Sequence, residues 1–253
     1  IVALVTPMRA DGSIDWEAHE MLVRWHVESG TAGVVPMGTT GESATLNTHE
    51  HLEVISRTIE VANGRISVVA GTGSNSTEET LHQTKEAESL GADACLLVTP
   101  YYNRPTQEGL YAHFKKVAET TSVPLVLYNV PGRTGCDLLP ETIGRLSSIE
   151  GIVGIKEASG KIERVSEIRS VSASDFFILS GEDALTLEMM NNGAVGTISV
   201  TANVLPKAMA EFCDSFLSGN IKRASAIDEV LQSVHEILFI ESNPTPAKWA
   251  LHQ

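Results

Sequence analysis

Residues 125–157, LVLYNVPGRTGCDLLPETIGRLSSIEGIVGIKE, contain the pattern that decides the fold: two short apolar runs separated by a longer stretch. The runs Leu125–Asn129 and Ile152–Glu157 are mostly continuous in apolar character rather than alternating. Such runs are typical of strands that are buried on both faces of a parallel sheet. Parallel strands need a long crossover connection, usually a helix. We therefore predict a strand–helix–strand unit here.

The same pattern recurs along the whole chain. Further strands are predicted at residues 1–7, 33–37, 66–71, 94–99, 176–180 and 195–199. Eight strands at an average spacing of about 25 residues are what an α/β fold of the closed (β/α)8 TIM barrel type requires. The alternative is a doubly wound open sheet. The number of strands and their even spacing favour the barrel.

Local signals mark the ends of the intervening helices. Asn47 and Ser76 each precede a glutamate by three residues, which is the spacing of a capping box at a helix start. Gly30, Gly91 and Gly193 each follow a helical run and stand just before an apolar strand. Glycine in this place is typical of a left-handed helix end.

The C-terminal part of the chain continues past the eighth predicted strand. Helical stretches are predicted at about residues 205–217 and 221–239, and the second exceeds what closing a barrel requires. We predict a barrel catalytic domain at residues 1–218 and a partial helical segment at residues 219–253. The chain starts inside an apolar run without an initiator Met, so both ends are interpreted as cut.

The composition excludes several classes of protein. The 253 residues include 18 Lys and Arg against 32 Asp and Glu, a net charge of −14. Binding to nucleic acid or to an anionic membrane needs clustered positive charge, so neither partner is expected. No run approaches the ~18 apolar residues of a membrane span. Three scattered cysteines do not form a disulfide or zinc framework. We predict a soluble protein of the reducing cytoplasm.

Lys156 is the first candidate functional residue, because it lies near the end of an otherwise apolar strand. Active sites of barrels form where strands end and the following loops begin. A lysine on the inner face would be partly desolvated, and burial disfavours the charged ammonium and exposes a nucleophilic amine. Such an amine forms a Schiff base with a ketone. The alternative is a lysine that reaches outward to a surface carboxylate such as Glu157.

Tyr128 is the only tyrosine in a predicted strand, and it lies at the same level as Lys156 one unit earlier. Adjacent strands would bring both groups to one substrate, where a phenol can transfer protons. The alternative is a core aromatic residue whose hydroxyl is satisfied by one hydrogen bond.

Three loops after predicted strands carry further candidates. Residues 36–43, PMGTTGES, place two glycines around two hydroxyls, and such a loop can bind an anion through converging N–H groups. The alternative is a tight loop that needs positive φ at its glycines. Arg133 offers a planar fork for a carboxylate, although a solvated loop arginine is the commoner interpretation of such a residue. Tyr101 and Tyr102 line a pocket or insert into a partner subunit, and paired exposed tyrosines favour an interface.

No cofactor is predicted. Gly71 and Gly73 lack the third glycine of a dinucleotide-binding fingerprint. His49 and His51 are two residues apart on a predicted helix and point in different directions, so a metal site is not expected there.

Four motifs in order give the chain a family resemblance. They are GTTGES at residues 38–43, TPYY at 99–102, YNVPGRTG at 128–135 and GIKE at 154–157. Together they resemble the dihydrodipicolinate synthase (4-hydroxy-tetrahydrodipicolinate synthase) family of the pyruvate-dependent class I aldolase and N-acetylneuraminate lyase superfamily. The resemblance runs from Ile1 to about Trp249. It implies a (β/α)8 lyase of lysine and diaminopimelate biosynthesis that condenses pyruvate with aspartate-4-semialdehyde.

The resemblance also implies roles for individual residues. Lys156 resembles the lysine that captures the pyruvate ketone, and the matches to the proton relay are Tyr128, Thr39 and Tyr102, the last supplied to a neighbouring subunit. Thr40 lies in the loop similar to the one that holds the pyruvate carboxylate. Arg133 matches the residue that receives the semialdehyde carboxylate. Gly181 and Ile198 correspond to positions that line the pocket.

Members of the family are typically homotetramers, and many are inhibited by lysine at a dimer interface. The resemblance therefore implies a homo-oligomer, dimer or tetramer, with lysine as an inhibitor. The positions that match this lysine site are Ala44, Thr48, His51, Gly73, Asn75, Glu79 and Tyr101. Thr48 departs from the histidine of some lysine-sensitive relatives, which bears on the strength of inhibition.

Two alternatives for the function remain open from the sequence. Another pyruvate-dependent aldolase, such as an N-acetylneuraminate or keto-deoxy-sugar lyase, would share Lys156 and Tyr128. Thr40 and Arg133 favour a short carboxylated aldehyde over a polyol. A non-catalytic barrel that senses a metabolite would bind pyruvate without forming an imine.

Overall fold

The computed structural model describes all residues from Ile1 to Gln253. The chain divides into two compact units. The first comprises Ile1–Val69 and Ile198–Gln253, and the second comprises Ala70–Thr197.

Seven short strands alternate with helices along the chain. The strands are β1 (Val2–Ala3), β2 (Gly33–Val35), β3 (Ser67–Gly71), β4 (Ala94–Val98), β5 (Leu125–Asn129), β6 (Ile152–Glu157) and β7 (Phe177–Ser180). The helices are α1 (Trp16–Glu28), α2 (Thr48–Ala62), α3 (Thr77–Leu90), α4 (Gln107–Ala118), α5 (Pro131–Thr134), α6 (Pro140–Leu146), α7 (Glu163–Val171), α8 (Thr186–Asn191), α9 (Pro206–Leu217), α10 (Ile221–Ile237) and α11 (Thr245–His252). The alternation confirms the predicted α/β class.

In the first unit, β2 pairs in parallel with both β1 and β3. The buried amide of Asn203 ties β1 to the segment that precedes α9. Its Oδ1 accepts a hydrogen bond from the backbone N–H of Val5 at 3.1 Å, and its Nδ2 donates to the carbonyls of Ala3 and Val200 at 2.8 and 2.9 Å. Helix α10 packs against α9 in the same unit.

In the second unit, β4, β5, β6 and β7 are parallel and pair in sequence order. Apolar residues of these strands are completely buried, with Leu97, Leu125, Leu127, Ile155 and Ile178 inaccessible to solvent. A doubly wound sheet reverses its strand order near the middle. No such reversal occurs among the four strands of this unit.

The first two strands are shorter than predicted, for identifiable reasons. The N–H of Val5 is bonded to the Asn203 side chain instead of to a neighbouring strand, so the β1 ladder stops early. After Val35, Pro36 has no N–H to donate, and Met37 has a φ of +57°. Backbone in that left-handed region cannot continue a strand.

The eighth predicted strand, residues 195–199, is wrong as a regular strand. It forms only isolated bridges, between Thr197 and Ser180 in the second unit and between Ser199 and Val2 in the first. Gly196 has a φ of +149°, a conformation that side-chain-bearing residues rarely adopt. This glycine interrupts the extended backbone, and no continuous ladder forms.

Most of the predicted helix ends are confirmed. Asn47 and Glu50 form both hydrogen bonds of a capping box at the start of α2. Gly30, Gly91 and Gly193 all have positive φ, as a left-handed helix end requires. Helix α11 lies beyond the helical stretches that we predicted, and it contains Pro246 in its first turn. Proline is tolerated in the first turn of a helix, where its missing N–H has no intrahelical partner.

Two further properties concern the whole chain. None of the helices has both the length and the apolar character that crossing a bilayer demands. Cys95, Cys136 and Cys213 are not joined in disulfides.

Replacing Asn203 with Ala removes three hydrogen bonds from buried backbone groups. We expect the free energy of unfolding to fall by about 2–4 kcal/mol, since buried polar groups are left without partners. Urea titration followed by circular dichroism measures this. Asn192→Ala is the control, because the two hydrogen bonds of that amide, to the carbonyl of Glu188 and from the hydroxyl of Ser166, are both exposed. Equal losses for the two variants would contradict the role of Asn203.

Candidate active site

Lys156 and Tyr128 lie side by side on neighbouring strands of the second unit. The register of β5 against β6 places the two residues directly opposite each other. Only 5% of Lys156 and 6% of Tyr128 are exposed to solvent. Because successive residues of a strand face opposite sides of a sheet, both side chains lie on one face.

The amine of Lys156 lies over the phenol ring of Tyr128. Its Nζ is 4.4 Å from the ring centroid, within the range of a cation–π contact. The alternative of a lysine that reaches outward to Glu157 is wrong. Glu157 is also completely buried, and its carboxylate accepts hydrogen bonds from Asn129 and from the backbone of Ser159. The geometry therefore joins an amine and a phenol in a largely water-free place.

Gly181 closes one side of the lysine. Its N–H donates to the carbonyl of Glu157 at 2.7 Å. A Cβ atom added at this position would lie 2.6 Å from the Cβ of Ala158 and 3.0 Å from the Cε of Lys156. Only glycine therefore fits here without moving the side chain of Lys156 or Ala158. Gly181 thus lies beside the lysine that is predicted to bind the substrate.

Glu182, which directly follows Gly181, is a charged residue that the sequence analysis did not single out as functional. Burial raises the pKa of its carboxyl, and the nearby positive charges of Lys156 and Arg133 act in the opposite direction. The amino-acid sequence gives no signal for this arrangement, because the two cations come from other strands and loops. Glu182 adds a negative charge beside the lysine.

Arg133 lies in the short helix α5, directly after β5, and its side chain is exposed. Pro131 begins this turn, and Gly135 ends it with a φ of +69°. The loop is held in place from the preceding connection, since Arg104 donates through Nε to the carbonyl of Gly135 at 2.9 Å. The β5 loop thus presents a guanidinium at the end of the strand that carries Tyr128.

Tyr102 extends into solvent from the loop after β4. Its side chain is 90% exposed, and its φ is +70°, which is uncommon for an aromatic residue. Its N–H donates to the carbonyl of Thr134 at 3.3 Å. The strained backbone therefore directs a phenol away from the unit, next to the loop of Arg133.

In the first unit, the loop that contains Thr39 and Thr40 follows β2. Its two residues with positive φ are Met37 and Glu42, whereas we expected that conformation at the glycines. Gly41 is needed for another reason, because an added Cβ would lie 2.9 Å from the backbone nitrogen of Met37. Thr40 is buried and Thr39 half-buried.

The C-terminal part of the first unit braces this loop. Asn243 donates through Nδ2 to the hydroxyl oxygen of Thr40 at 2.8 Å, which leaves the Thr40 proton free to point elsewhere. Lys248 of α11 pairs with Glu42. Ile198, another predicted pocket residue, is buried in this unit.

The residues matched to a lysine site are distributed over both units. In the first unit, Ala44 and Thr48 are exposed and His51 is buried. In the second unit lie the remaining four, Gly73, Asn75, Glu79 and Tyr101. Glu79 accepts a hydrogen bond from Ser74 at 2.6 Å, and Asn75 accepts one from Asn103 at 3.0 Å. Their role in binding lysine stays a prediction.

Comparison with known proteins identifies the family. A family model described as the dihydrodipicolinate synthetase family matches residues 1–253, which is the whole chain. The chain belongs to the dihydrodipicolinate synthetase family. This confirms the resemblance inferred from the four motifs.

Individual members of the dihydrodipicolinate synthetase family are close in sequence and in structure. The chain is 55% identical to 4-hydroxy-tetrahydrodipicolinate synthase of Ectopseudomonas mendocina (strain ymp), over 100% of this chain and 87% of that protein. It matches the chloride-inhibited dihydrodipicolinate synthase of Acinetobacter baumannii complexed with pyruvate with a TM-score of 0.97 and 52% identity, over 99% of this chain and 86% of that chain. It also matches the lysine-bound enzyme of Cyanidioschyzon merolae. The TM-score is 0.96 and the identity 39%, over 99% of this chain and 86% of that chain.

Membership in the dihydrodipicolinate synthetase family confirms that the chain is an enzyme, a lyase-type synthase of lysine and diaminopimelate biosynthesis. The structural similarity over almost the whole chain shows a TIM-barrel-like α/β fold. The roles of the individual site residues stay predictions.

Replacing Gly181 with Ala tests the packing around the lysine. The added methyl group would push Lys156 or Ala158 aside, so we expect kcat to fall about 10- to 100-fold, the cost of an ångström-scale misplacement. Steady-state kinetics measures it. Gly132→Ala is the matched control, because an added Cβ there meets nothing within 4 Å. An unchanged kcat in the Gly181 variant would contradict the close fit.

Proposed function

We propose that Lys156 carries out the reaction of this enzyme by forming a Schiff base with pyruvate. The enzyme condenses pyruvate with aspartate-4-semialdehyde to give 4-hydroxy-tetrahydrodipicolinate. The observation that supports the proposal most strongly is the buried Lys156 amine over the ring of Tyr128. This placement brings the amine and a proton-transferring phenol to the same point, where a bound ketone can meet both groups.

The first half of the proposed mechanism forms the imine. The neutral Nζ of Lys156 adds to the ketone carbon of pyruvate and gives a carbinolamine. Tyr128, assisted by Thr39, transfers a proton to the former ketone oxygen, which leaves as water. The resulting iminium withdraws electrons from the adjacent methyl group, and loss of one methyl proton gives an enamine.

The second half joins the two substrates. The enamine carbon attacks the aldehyde carbon of the semialdehyde, whose oxygen takes up a proton and becomes the hydroxyl group. The product is a ring that contains one nitrogen, so the amino group of the semialdehyde attacks the iminium carbon. Lys156 then leaves as a free amine, and the net reaction releases one water.

Other residues are proposed to hold the carboxylates and line the pocket. Thr39 and Thr40 belong to the loop assigned to the pyruvate carboxylate, and the hydroxyl of Thr40 is already oriented by a hydrogen bond from Asn243. Arg133 is assigned to the semialdehyde carboxylate, since its planar fork can bind both oxygens. Gly181 and Ile198 are assigned to the walls of the pocket.

We propose that the enzyme acts as a homo-oligomer, a dimer or a tetramer, in which Tyr102 completes the proton relay of a second copy. The solvent-exposed side chain of Tyr102 supports this assignment. We also propose that residues 1–218 form a closed (β/α)8 barrel and residues 219–253 an appended helical segment. The sequential order of strands within each unit supports the barrel.

Lysine is proposed as an inhibitor of the enzyme. The similarity to a structure with lysine bound supports this. The proposed contacts are those matched in the sequence: Ala44, Thr48, His51, Gly73, Asn75, Glu79 and Tyr101.

The proposed mechanism needs no metal or nucleotide, because the iminium itself serves as the electron sink. The cytoplasm is proposed as the compartment, which three free cysteines support.

A second candidate function is cleavage of an acidic sugar by the same imine chemistry. The guanidinium of Arg133 favours the synthase, since it matches a short aldehyde that carries a carboxylate. Supplying pyruvate with each aldehyde in turn separates the two, and turnover of the sugar alone would contradict the proposed substrate.

Replacing Lys156 with Ala tests the Schiff base. We expect turnover to fall below detection, because the amine that bonds covalently to the ketone is removed. Borohydride reduces an imine to a stable amine, so reduction with labelled pyruvate followed by peptide mapping locates the label.

The unsubstituted enzyme should carry that label at residue 156 alone. The control is Lys161→Ala, which removes an exposed lysine from the following loop and should label normally. Pyruvate binding without any adduct would instead favour the non-catalytic sensing barrel.

Replacing Arg133 with Ala tests recognition of the aldehyde. We expect KM for aspartate-4-semialdehyde to rise about 10- to 100-fold, the loss of a charge-assisted hydrogen bond worth about 1.5–3 kcal/mol. KM for pyruvate should change little, as steady-state kinetics with each substrate varied will show. Arg145→Ala, which removes an exposed arginine paired with Glu108, is the control. Equal loss for both substrates would argue against the assigned role.

A further inference from the structure

A buried polar cluster lies behind the Lys156–Tyr128 pair, on the opposite face of the same two strands. We call it the Asn129 cluster, and its members are Asn129, Asp137, Glu157 and Arg164. Asn129 directly follows Tyr128, and Glu157 directly follows Lys156. The register of the two strands pairs Asn129 with Glu157. Both are completely inaccessible to solvent. Neither takes part in the proposed chemistry, so their burial needs another explanation.

The side-chain amide of Asn129 joins three parts of the chain. Its Nδ2 donates to Glu157 Oε2 of β6 at 3.1 Å and to Asp137 Oδ1 at 2.9 Å. Its Oδ1 accepts a hydrogen bond from the N–H of Leu138 at 2.9 Å. The segment from 129 to 138 is thus closed into a loop by one side chain, and this is the loop that carries Arg133.

Arg164 of α7 fixes the far end of that loop. Its Nη1 and Nη2 donate to the two carboxylate oxygens of Asp137 at 3.0 and 2.9 Å, a bidentate pair with defined orientation. Nη1 also donates to the carbonyl of Leu138 at 3.2 Å. The guanidinium is buried, whereas the Asp137 side chain is 31% exposed, so water screens the pair only from the carboxylate side.

The charges in the cluster depend on one another. Burial raises the pKa of Glu157, but hydrogen bonds from Ser159 and Asn129 and the charge of Arg164 favour its ionised form. Partial burial also opposes ionisation of Asp137, yet the bonds from Arg164 and Asn129 outweigh it and lower the pKa of this carboxyl. Removing Asp137 would leave the buried Arg164 guanidinium without its bidentate partner, which is costly.

We propose that the Asn129 cluster consists of positioning residues that set two separate parts of the active site from behind. Glu157 holds the end of β6, and with it Lys156, against β5. Asp137 and Arg164 hold the end of the loop that carries Arg133. Asn129 connects the two parts. The proposal rests on the function assigned to Lys156 and Arg133 above.

The two ends of the cluster should have different kinetic signatures. Loss of the β6 end misplaces the amine, so imine formation slows while recognition of the aldehyde is kept. Loss of the loop end misplaces the guanidinium, so KM for the aldehyde rises while imine formation is kept. A cluster that only stabilised the fold would change neither quantity in a folded variant.

The test compares Glu157→Gln with Asp137→Asn in the full chain. In each wild-type carboxylate both oxygens accept a hydrogen bond. In each variant an amide NH2 group replaces one of these oxygens, so two donors face each other and one hydrogen bond is lost. The control is Glu167→Gln, because Glu167 is an exposed acid that contacts the same Arg164 outside the cluster. Timed borohydride quenching with pyruvate gives the rate of imine formation, and steady-state kinetics gives KM for aspartate-4-semialdehyde.

We expect Glu157→Gln to slow imine formation about 10- to 100-fold, as an ångström-scale misplacement does. Asp137→Asn should raise KM for the aldehyde about tenfold or more, the loss expected when a charged partner is misplaced. Glu167→Gln should match the unsubstituted enzyme in both. If Glu157→Gln does not fold, Glu157→Asp, which keeps the charge but shortens its reach, should show the same slowing in a milder form.

Folded variants that lose only thermal stability, with both kinetic quantities unchanged, would overturn the proposal. A reversed split, with Glu157 acting on the aldehyde and Asp137 on the imine, would overturn it as well. Failure of the proposed function is distinguishable, since the unsubstituted enzyme would then form no imine at all.

Discussion

The pairing of β5 with β6 is the constraint on which the rest of the structure depends. It sets Tyr128 opposite Lys156 on one face and Asn129 opposite Glu157 on the other. A shift of one residue would send the lysine to the polar face and bury the acid beside the phenol, because side chains alternate along a strand. One register therefore determines which groups can do chemistry and which can only support it.

Much of the fold was predictable, because strands buried on both faces have a distinct pattern. The bounds of β5 and β6 follow from their continuous apolar runs, and the glycine helix ends follow from backbone sterics. The early end of β1 was not predictable, since it depends on the Asn203 side chain, about two hundred residues away. The prediction of an eighth strand was wrong because a glycine in an apolar run gives no sign of its backbone conformation. The φ of Gly196 interrupts the strand ladder.

The site was predictable where one residue is out of place in its own segment. Lys156 stands out in an apolar strand, so the sequence alone makes it a candidate, and the structure places it beside Tyr128. Glu157 does not stand out in this way, since an acid at a strand end usually faces solvent. Its burial depends on partners from β5 and the following segments, and no local pattern encodes them. The conformation of the Thr40 loop likewise depends on Asn243, far along the chain.

The most direct test of this account is a crystal structure of the enzyme after borohydride reduction in the presence of pyruvate. Continuous density should run from the Nζ of Lys156 to the second carbon of the former keto acid, with the Tyr128 side chain beside the new bond. A free Lys156, or an adduct on a different lysine, would contradict the account and leave only the fold.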